Sequence, residues 1–280
     1  MLLKNTYNEF VKILAKPRSY LGIGALTLLI AVILFAMKAD GSSFISFVTS
    51  SFEQTLSFNG NILNGNLIAF IILQMLIIHI PLLVALVTGD LISGEAAMGT
   101  VRMLASKPIS RTSIVLSKFI AGAVYTLILT IWLGFLALIV SKWIFGTGDL
   151  IVLNSDGLVI LQEQDIMWRY GLAFIVAFLS LLTISTLSIC LSAFADNSIG
   201  PIVSTMAIII LFTIIGSLDV SVFDTIKPYL FTTHMASWRS FFEDPIPMSK
   251  IIQSVVILLA HNVILVVVAI IKFNKKDITS

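Results

Sequence analysis

The sequence predicts an all-α membrane protein: six transmembrane helices, an N-terminal interfacial amphipathic helix and a polar cytoplasmic loop between spans two and three. Two observations carry this. Hydrophobic residues make up 58% of the 280 positions, charged residues only 11%, and the mean hydropathy is +1.05. A soluble domain carries roughly 25% charged residues, so that class is excluded. The apolar residues also gather into six runs, each long enough to cross a hydrocarbon core of about 30 Å. The single cysteine, Cys190, sits inside an apolar run, so no disulfide framework or zinc spacing is available and packing is its expected role.

Residues 1–18 read as the interfacial helix. Leu3, Tyr7, Phe10 and Leu14 recur at i, i+4, i+7 and i+11, while Lys4, Asn8, Glu9, Lys12 and Lys16 take the other face. That is the pattern of a helix lying in a membrane surface. Pro17 ends it. The apolar run that follows is longer than a typical signal core and lacks a small-residue cleavage site, so no cleavable signal is expected.

The spans are expected at Ser19–Met37, Leu67–Gly89, Phe119–Ser141, Tyr170–Phe194, Ile199–Ser217 and Ile251–Ile271. They make up a single transmembrane domain over residues 1–280. The loops alternate between sides. One side holds the N-terminus, the 90–118 loop, the 195–198 turn and the tail, with eleven Lys and Arg against five acidic residues; the other side holds six against ten. The positive-inside rule then places both termini and the 90–118 loop in the cytoplasm of a multi-pass plasma-membrane protein.

On the opposite side, 38–66 is rich in Ser, Asn and Gly, and 142–169 alternates short apolar patches with Asp149, Asp156, Glu163 and Asp165. Both are expected to form modest outer caps. Residues 219–250 carry Phe223, Tyr229, Phe231, Trp238, Phe241 and Phe242 among Pro228, Pro245 and Pro247. Aromatics at this density belong at headgroup level, so a re-entrant or surface-lying helix, or a plain aromatic belt, is expected there.

No Asp, Glu, Lys or Arg falls in the core of an expected span, whereas ion-coupled transporters keep such residues as ion or proton sites. Ser180, Ser185, Ser188 and Ser192, with Thr183 and Thr186, give the fourth span a small polar side. This suits helix packing; the alternative is a weakly polar lining of a path through Ser185, Ser188 and Ser192. His79 and His261 lie mid-span, which suggests either a local hydrogen bond or haem or metal ligation between helices. Neither H-E-x-x-H nor G-x-S-x-G is present, so an enzyme is not expected, and nothing indicates a nucleic-acid partner.

The 90–118 loop, DLISGEAAMGTVRMLASKPISRTSIVLSK, has two carboxylates, four basic residues and its own apolar periodicity. Ile92–Met98 can form a short helix, interrupted by Gly99-Thr100 because Gly is a poor interior residue and Thr a fair cap. Val101, Leu104 and Ala105 mark a second short helix that must end before Pro108, and Ser110 can cap the third span. Two such helices across the membrane surface, with Glu95 and Arg102 facing the cytoplasm, would make a docking surface; the alternative is an ordinary connector. Gly94 and Gly99 have P-loop-like spacing, but Thr100-Val101 stand where Lys and Ser/Thr would be needed, so ATP hydrolysis by this chain is not expected.

The run Ser93-Gly94-Glu95, Gly99-Thr100, Leu104, Lys107-Pro108-Ile109-Ser110-Arg111 resembles the loop after the second span in permease subunits of type 2 ATP-binding-cassette transporters. The six-span layout extends that resemblance to the whole chain. It implies an exporter permease paired with a second copy or a similar permease, in contact with membrane lipid. A separate ATPase subunit would carry the ATP and Mg, so no cofactor belongs to this chain. The resemblance makes residues 1–18 an elbow helix, assigns ATPase coupling to Ser93, Gly94, Glu95, Gly99, Thr100, Arg102, Pro108 and Arg111, and places an outer gate at Tyr229, Trp238 and Phe242. An ATP-independent transporter or channel, and a haem-binding subunit using His79 and His261, are the rival expectations.

Overall fold

The computed structural model describes residues 2–49, 62–76, 79–100, 109–154 and 157–276. Arg102, Pro108 and the helix expected through Val101, Leu104 and Ala105 lie outside these residues, as does Asp156. Helix α1 covers Leu2–Ala15 and α2 Pro17–Thr49, with a non-helical backbone at Asp40. Then come α3 (Gly65–Leu76), α4 (Ile80–Thr88), α5 (Asp90–Ala97) and α6 (Arg111–Phe145), the last passing through a π-helical stretch at Phe135–Val140. A hairpin of β1 (Leu150–Asn154) and β2 (Gly157–Leu161) precedes α7 (Glu163–Phe194) and α8 (Ile199–Ser217). Short turns lead to α9 (Phe231–Met235), the 3-10 segment Ala236–Phe242 and α10 (Met248–Lys275). Among the described residues, six helices are long and apolar enough to cross a membrane.

The bundle is built around α7, which packs against α4, α5, α6, α8, α10 and the 3-10 segment. Its small hydroxyl residues explain how so many helices approach it. Ser185, Ser188 and Ser192 are all buried, and the Cβ positions at Gly89 and Gly122 are blocked by Ser188 and Ile189. Thr183 and Thr186 hold Asn262 of α10 through bonds of 2.8 and 2.6 Å. Side-chain hydrogen bonds of this kind join helices where no water is at hand. The three serines of the expected path lining lie in contacts between helices of the described residues.

The second expected span, Leu67–Gly89, is not one helix. Pro81 occupies the first turn of α4, and the chain restarts there after α3. A proline has no N–H and its ring collides with the carbonyl four residues back, so a break at this point follows from the sequence. Past Gly89 the helix direction is nearly kept, because Gly89 is itself in the right-handed helical region. The short helix expected at Ile92–Met98 is present as α5, not lying on the surface but extending α4 and buried against α7 and α8. Ser192 makes the junction possible. Its Oγ accepts from Ile92 N at 3.2 Å and from Ser93 N at 2.8 Å, and donates to Gly89 O at 2.6 Å. First-turn amides have no partner inside their own helix; here a different helix supplies the cap.

Within the 142–169 stretch expected as a cap, residues 150–161 take the form of a hairpin. Its strands pair antiparallel from Leu150↔Leu161 to Asn154↔Gly157, with Leu150, Val152 and Leu161 turned into the core. It seats on α3, and the same end of the bundle is closed by Asn64 Nδ2 donating to Asp149 O, Asn66 Nδ2 to Gly148 O and Tyr170 OH to Asn66 O.

Ser192→Ala should lower unfolding stability in detergent by about 1–3 kcal/mol, the cost of leaving buried amides unpaired. Ser185→Ala should change it little, since the Ser185 hydroxyl is buried without a partner. Thermal melting of the two variants beside the parent protein checks this.

Candidate functional site

At the end of the bundle that holds α1 and α5, four charged side chains meet under cover. Glu9 on α1, Glu95 on α5 and Lys118 on α6 are buried, with the Lys118 side chain only 1% exposed. Lys118 Nζ lies 2.7 Å from Glu9 Oε2 and 2.7 Å from Glu95 Oε2. The Glu9 contact is a well-directed hydrogen bond; the Glu95 contact is close but off the hydrogen-bond direction. Lys12 closes the square from the solvent side, 2.6 Å from Glu9 Oε1 and 2.8 Å from Glu95 Oε1. Two cations and two anions cancel, which is the condition under which ionised groups tolerate burial.

A second group lies beside the first. Asp90 at the head of α5 accepts from Lys16 at 2.7 Å and pairs with Arg18 at 3.1 Å. The Asp90 carboxylate also explains Gly94, because a Cβ there would land on it. Helix α5 ends in a Schellman motif: Thr100 N donates to Glu95 O and Gly99 N to Ala96 O, both at 3.0 Å, with Gly99 at φ 69°. The stop comes from the left-handed backbone that Gly99 adopts, more than from its weak helix propensity.

These positions differ from the outward-facing surface expected for the loop. Ser93, Gly94 and Glu95 are buried inside the protein and do not face outward. Glu95 is held by this chain's own lysines, because α5 continues α4 into the bundle and does not lie flat on its surface. What α5 exposes is its tip, Ala97, Met98 and Gly99, with Thr100 half-buried beside it. Arg111, also expected to couple, donates from Nη1 to Asn274 O and Lys276 O at 2.9 Å each. It thereby satisfies end carbonyls of α10, a favourable place for a cation. Lys276 in turn bonds Asp196 at 2.6 Å, so the 109–118 segment, the 195–198 turn and the end of α10 meet at this end of the bundle.

At the opposite end, the expected gate residues separate. Trp238 and Phe242 are buried in an edge-to-face cluster with Phe70 and Tyr170, centroids 4.8 to 6.2 Å apart. Tyr229 is exposed and outside that cluster. It sits in a surface turn held over α9 by His234, whose Nε2 lies 2.8 Å from Pro228 O. Arg169, absent from the expected site, is buried and donates to Phe241 O and Glu243 O at 2.8 and 3.0 Å, pinning the aromatic segment to α7. Of the histidines expected mid-span, His261 bonds its own helix, Nδ1 2.9 Å from Ile257 O, while His79 stands exposed in the break between α3 and α4 with Nδ1 3.0 Å from Met75 O of α3. These are the local hydrogen bonds of the first alternative.

Sequence reasoning passed over Lys118, Glu9, Lys12 and Asp90. A faint signal was present: Glu9 is the only acidic residue of α1, set among lysines, and Lys118 stands directly before an apolar run.

Six membrane-length apolar helices define a multi-pass membrane protein. The chain belongs to the family described as "Protein of unknown function (DUF2705)", which matches residues 25–279. It is also similar to the "Uncharacterized protein YhcI" of Bacillus subtilis (strain 168), with 25% identity over 203 residues, 70% of this chain. The match spans 63% of that relative's length.

Burial alone would push the Glu9 carboxyl up, but the charges and hydrogen bonds of Lys118 and Lys12 outweigh it and hold Glu9 below its ordinary 4.5. Its stabilisation is complete above pH 4.5 and is lost as pH falls through the lowered folded value. Burial lowers Lys12 while Glu9 and Glu95 raise it, for a net rise above 10.5, so its share persists below pH 10.5 and is lost above the folded value. Docking of α1, followed by a fluorophore at Tyr7, should therefore hold across neutral pH and loosen in acid. Lys118→Met should cost about 3–5 kcal/mol by stranding two buried carboxylates. Lys12→Met, with its side chain 45% exposed, should cost under about 1 kcal/mol.

Proposed function

We propose that the chain is the permease subunit of an ATP-binding-cassette transporter, working in export and driven by a separate ATPase subunit that docks at the α1–α5 end. The observation that carries this reading is the linkage of the Ser93-Gly94-Glu95 and Gly99-Thr100 motif to the spans. The motif lies on α5, which extends α4, and Glu95 is tied to the start of α6 by Lys118 and to α1 by Lys12. A push on the exposed tip at Met98 reaches two spans and the N-terminal helix together.

In this reading the partner touches the tip and residues 101–108, which include Arg102 and Pro108, while Ser93, Gly94, Glu95 and Arg111 transmit force from within. Helix α1 lies along the inner leaflet, its exposed Leu3, Tyr7, Val11 and Leu14 toward lipid. The glycines have structural duties, Gly94 against Asp90 and Gly99 in the helix stop. In this reading ATP and Mg belong to the partner ATPase.

A second permease copy completes the path. The Ser and Thr side of α7 is packed shut. A hollow of about 280 Å³ between α6 and α7 is lined by Leu127, Ile131, Gly134, Phe174, Ile175 and Phe178 with Thr130, and offers a polar cargo almost nothing. The broadly exposed apolar faces of α2, α8 and α10 leave room for both lipid and a partner permease. The cluster of Trp238 and Phe242 seals the outer end.

Two measurements test this reading. In a Cys190→Ser background, a cysteine at Met98 should resist a membrane-impermeant thiol reagent in intact cells and react in inverted vesicles; labelling from outside would reverse the orientation. Met98→Asp should weaken co-purification with a cognate ATPase at least tenfold without moving the permease's melting temperature. Undiminished association, with residues 101–108 also substituted, would remove the docking role.

A further inference from the structure

The four charges around Lys118 balance, but the neighbouring group does not. Asp90 supplies one negative charge to Lys16 and Arg18, leaving one positive charge in excess among these contacts. Both cations are partly open, with side chains 33% and 44% exposed. Each spends little of its donor capacity on Asp90: Lys16 uses one of three N–H bonds there, and Arg18 meets Asp90 through Nη1 alone. The free donors sit where α1 hands over to α2, since only Lys16 separates the two helices.

The surroundings say which anion fits. Leu21, one turn beyond Arg18, is an exposed apolar residue at the start of a membrane-length helix, with the exposed Tyr20 beside it. Leu14, at the end of the exposed α1 stripe, stands just before Lys16. A negative group seated on Lys16 and Arg18 would thus lie at the boundary between a charged surface and apolar flanks, and would carry chains that cover those flanks. A soluble anion would leave the flanks bare.

We propose that Lys16 and Arg18 form a binding site for the phosphate of one anionic phospholipid, whose acyl chains lie along Tyr20 and Leu21. The lipid neutralises the excess charge and ties the α1–α2 corner to the leaflet. Because Asp90 heads α5, the headgroup and the carboxylate share the same two cations, and the lipid contacts the same block that holds Glu95. This site depends on the membrane reading of the chain and not on its transport role.

The test uses the full-length protein in neutral detergent, titrated with phosphatidylglycerol, phosphatidylcholine or inorganic phosphate, with bound lipid counted by native mass spectrometry. Phosphatidylglycerol should be retained over phosphatidylcholine, with inorganic phosphate failing to displace it. Removing both cations together with their carboxylate in Lys16→Gln/Arg18→Gln/Asp90→Asn takes away the one excess positive charge and should cut that preference roughly fivefold, about 1 kcal/mol per charge near the surface. Including Asp90→Asn avoids stranding a buried carboxylate, and the charge-conserving pair Lys16→Arg/Arg18→Lys should keep most of the preference. Lys250→Gln, at the opposite end, should not alter it. Equal retention of the two lipids, displacement by inorganic phosphate, or an undiminished preference in the triple variant would each overturn the proposal.

Discussion

The structure at the α1–α5 end depends on Lys118. A lysine buried to this degree is costly unless its charge is matched in place, and two carboxylates from two different helices match it. Neither glutamate is a local neighbour: Glu9 is 109 residues away, and Glu95, 23 residues back, lies on the far side of the loop. The cluster therefore fixes where α1 sits on α6, and how the end of α5 meets both. Removing Lys118 or either glutamate would leave a buried partner under-compensated, whereas Lys12, on the open side, adds less.

Around this end, the bundle solves the problem every membrane helix faces: backbone groups must be paired where no water is available. The restart at α5 would leave amides open, and Ser192 of α7 closes them. At the end of α10, where water can reach, Arg111 takes two carbonyls. At the far end, Arg169 does the same for the aromatic segment, through Phe241 and Glu243. In each case a side chain from one helix completes the backbone of another, which couples the helices more specifically than apolar contact can.

Much of the architecture was legible because hydrophobic run length is a strong signal. Five of the six expected spans fall within membrane-length helices. The second span was misjudged although Pro81 was in plain view, because hydropathy does not register a missing N–H. The β-hairpin was hidden in a stretch whose Ser155-Asp156-Gly157 turn chemistry was available but outweighed by the helical context. The site was less legible. Sequence marks Glu95 as charged and therefore suggests an exposed position; its burial is set by Lys118 and Lys12, and pairing across the fold leaves no periodicity to read. Ser185, Ser188 and Ser192 illustrate the reverse, since small polar residues suit a path or a packed interface equally until their neighbours are known.

The central claim is that α1 and α5 form one block through the buried charges. The most direct measurement is the distance between spin labels at Tyr7 and Met98, both exposed, in the Cys190→Ser protein reconstituted in bilayers. The account predicts a single narrow distance distribution at neutral pH that broadens when Glu9 and Glu95 are both changed to Gln. A broad or multiple distribution in the protein with its charges intact would contradict it.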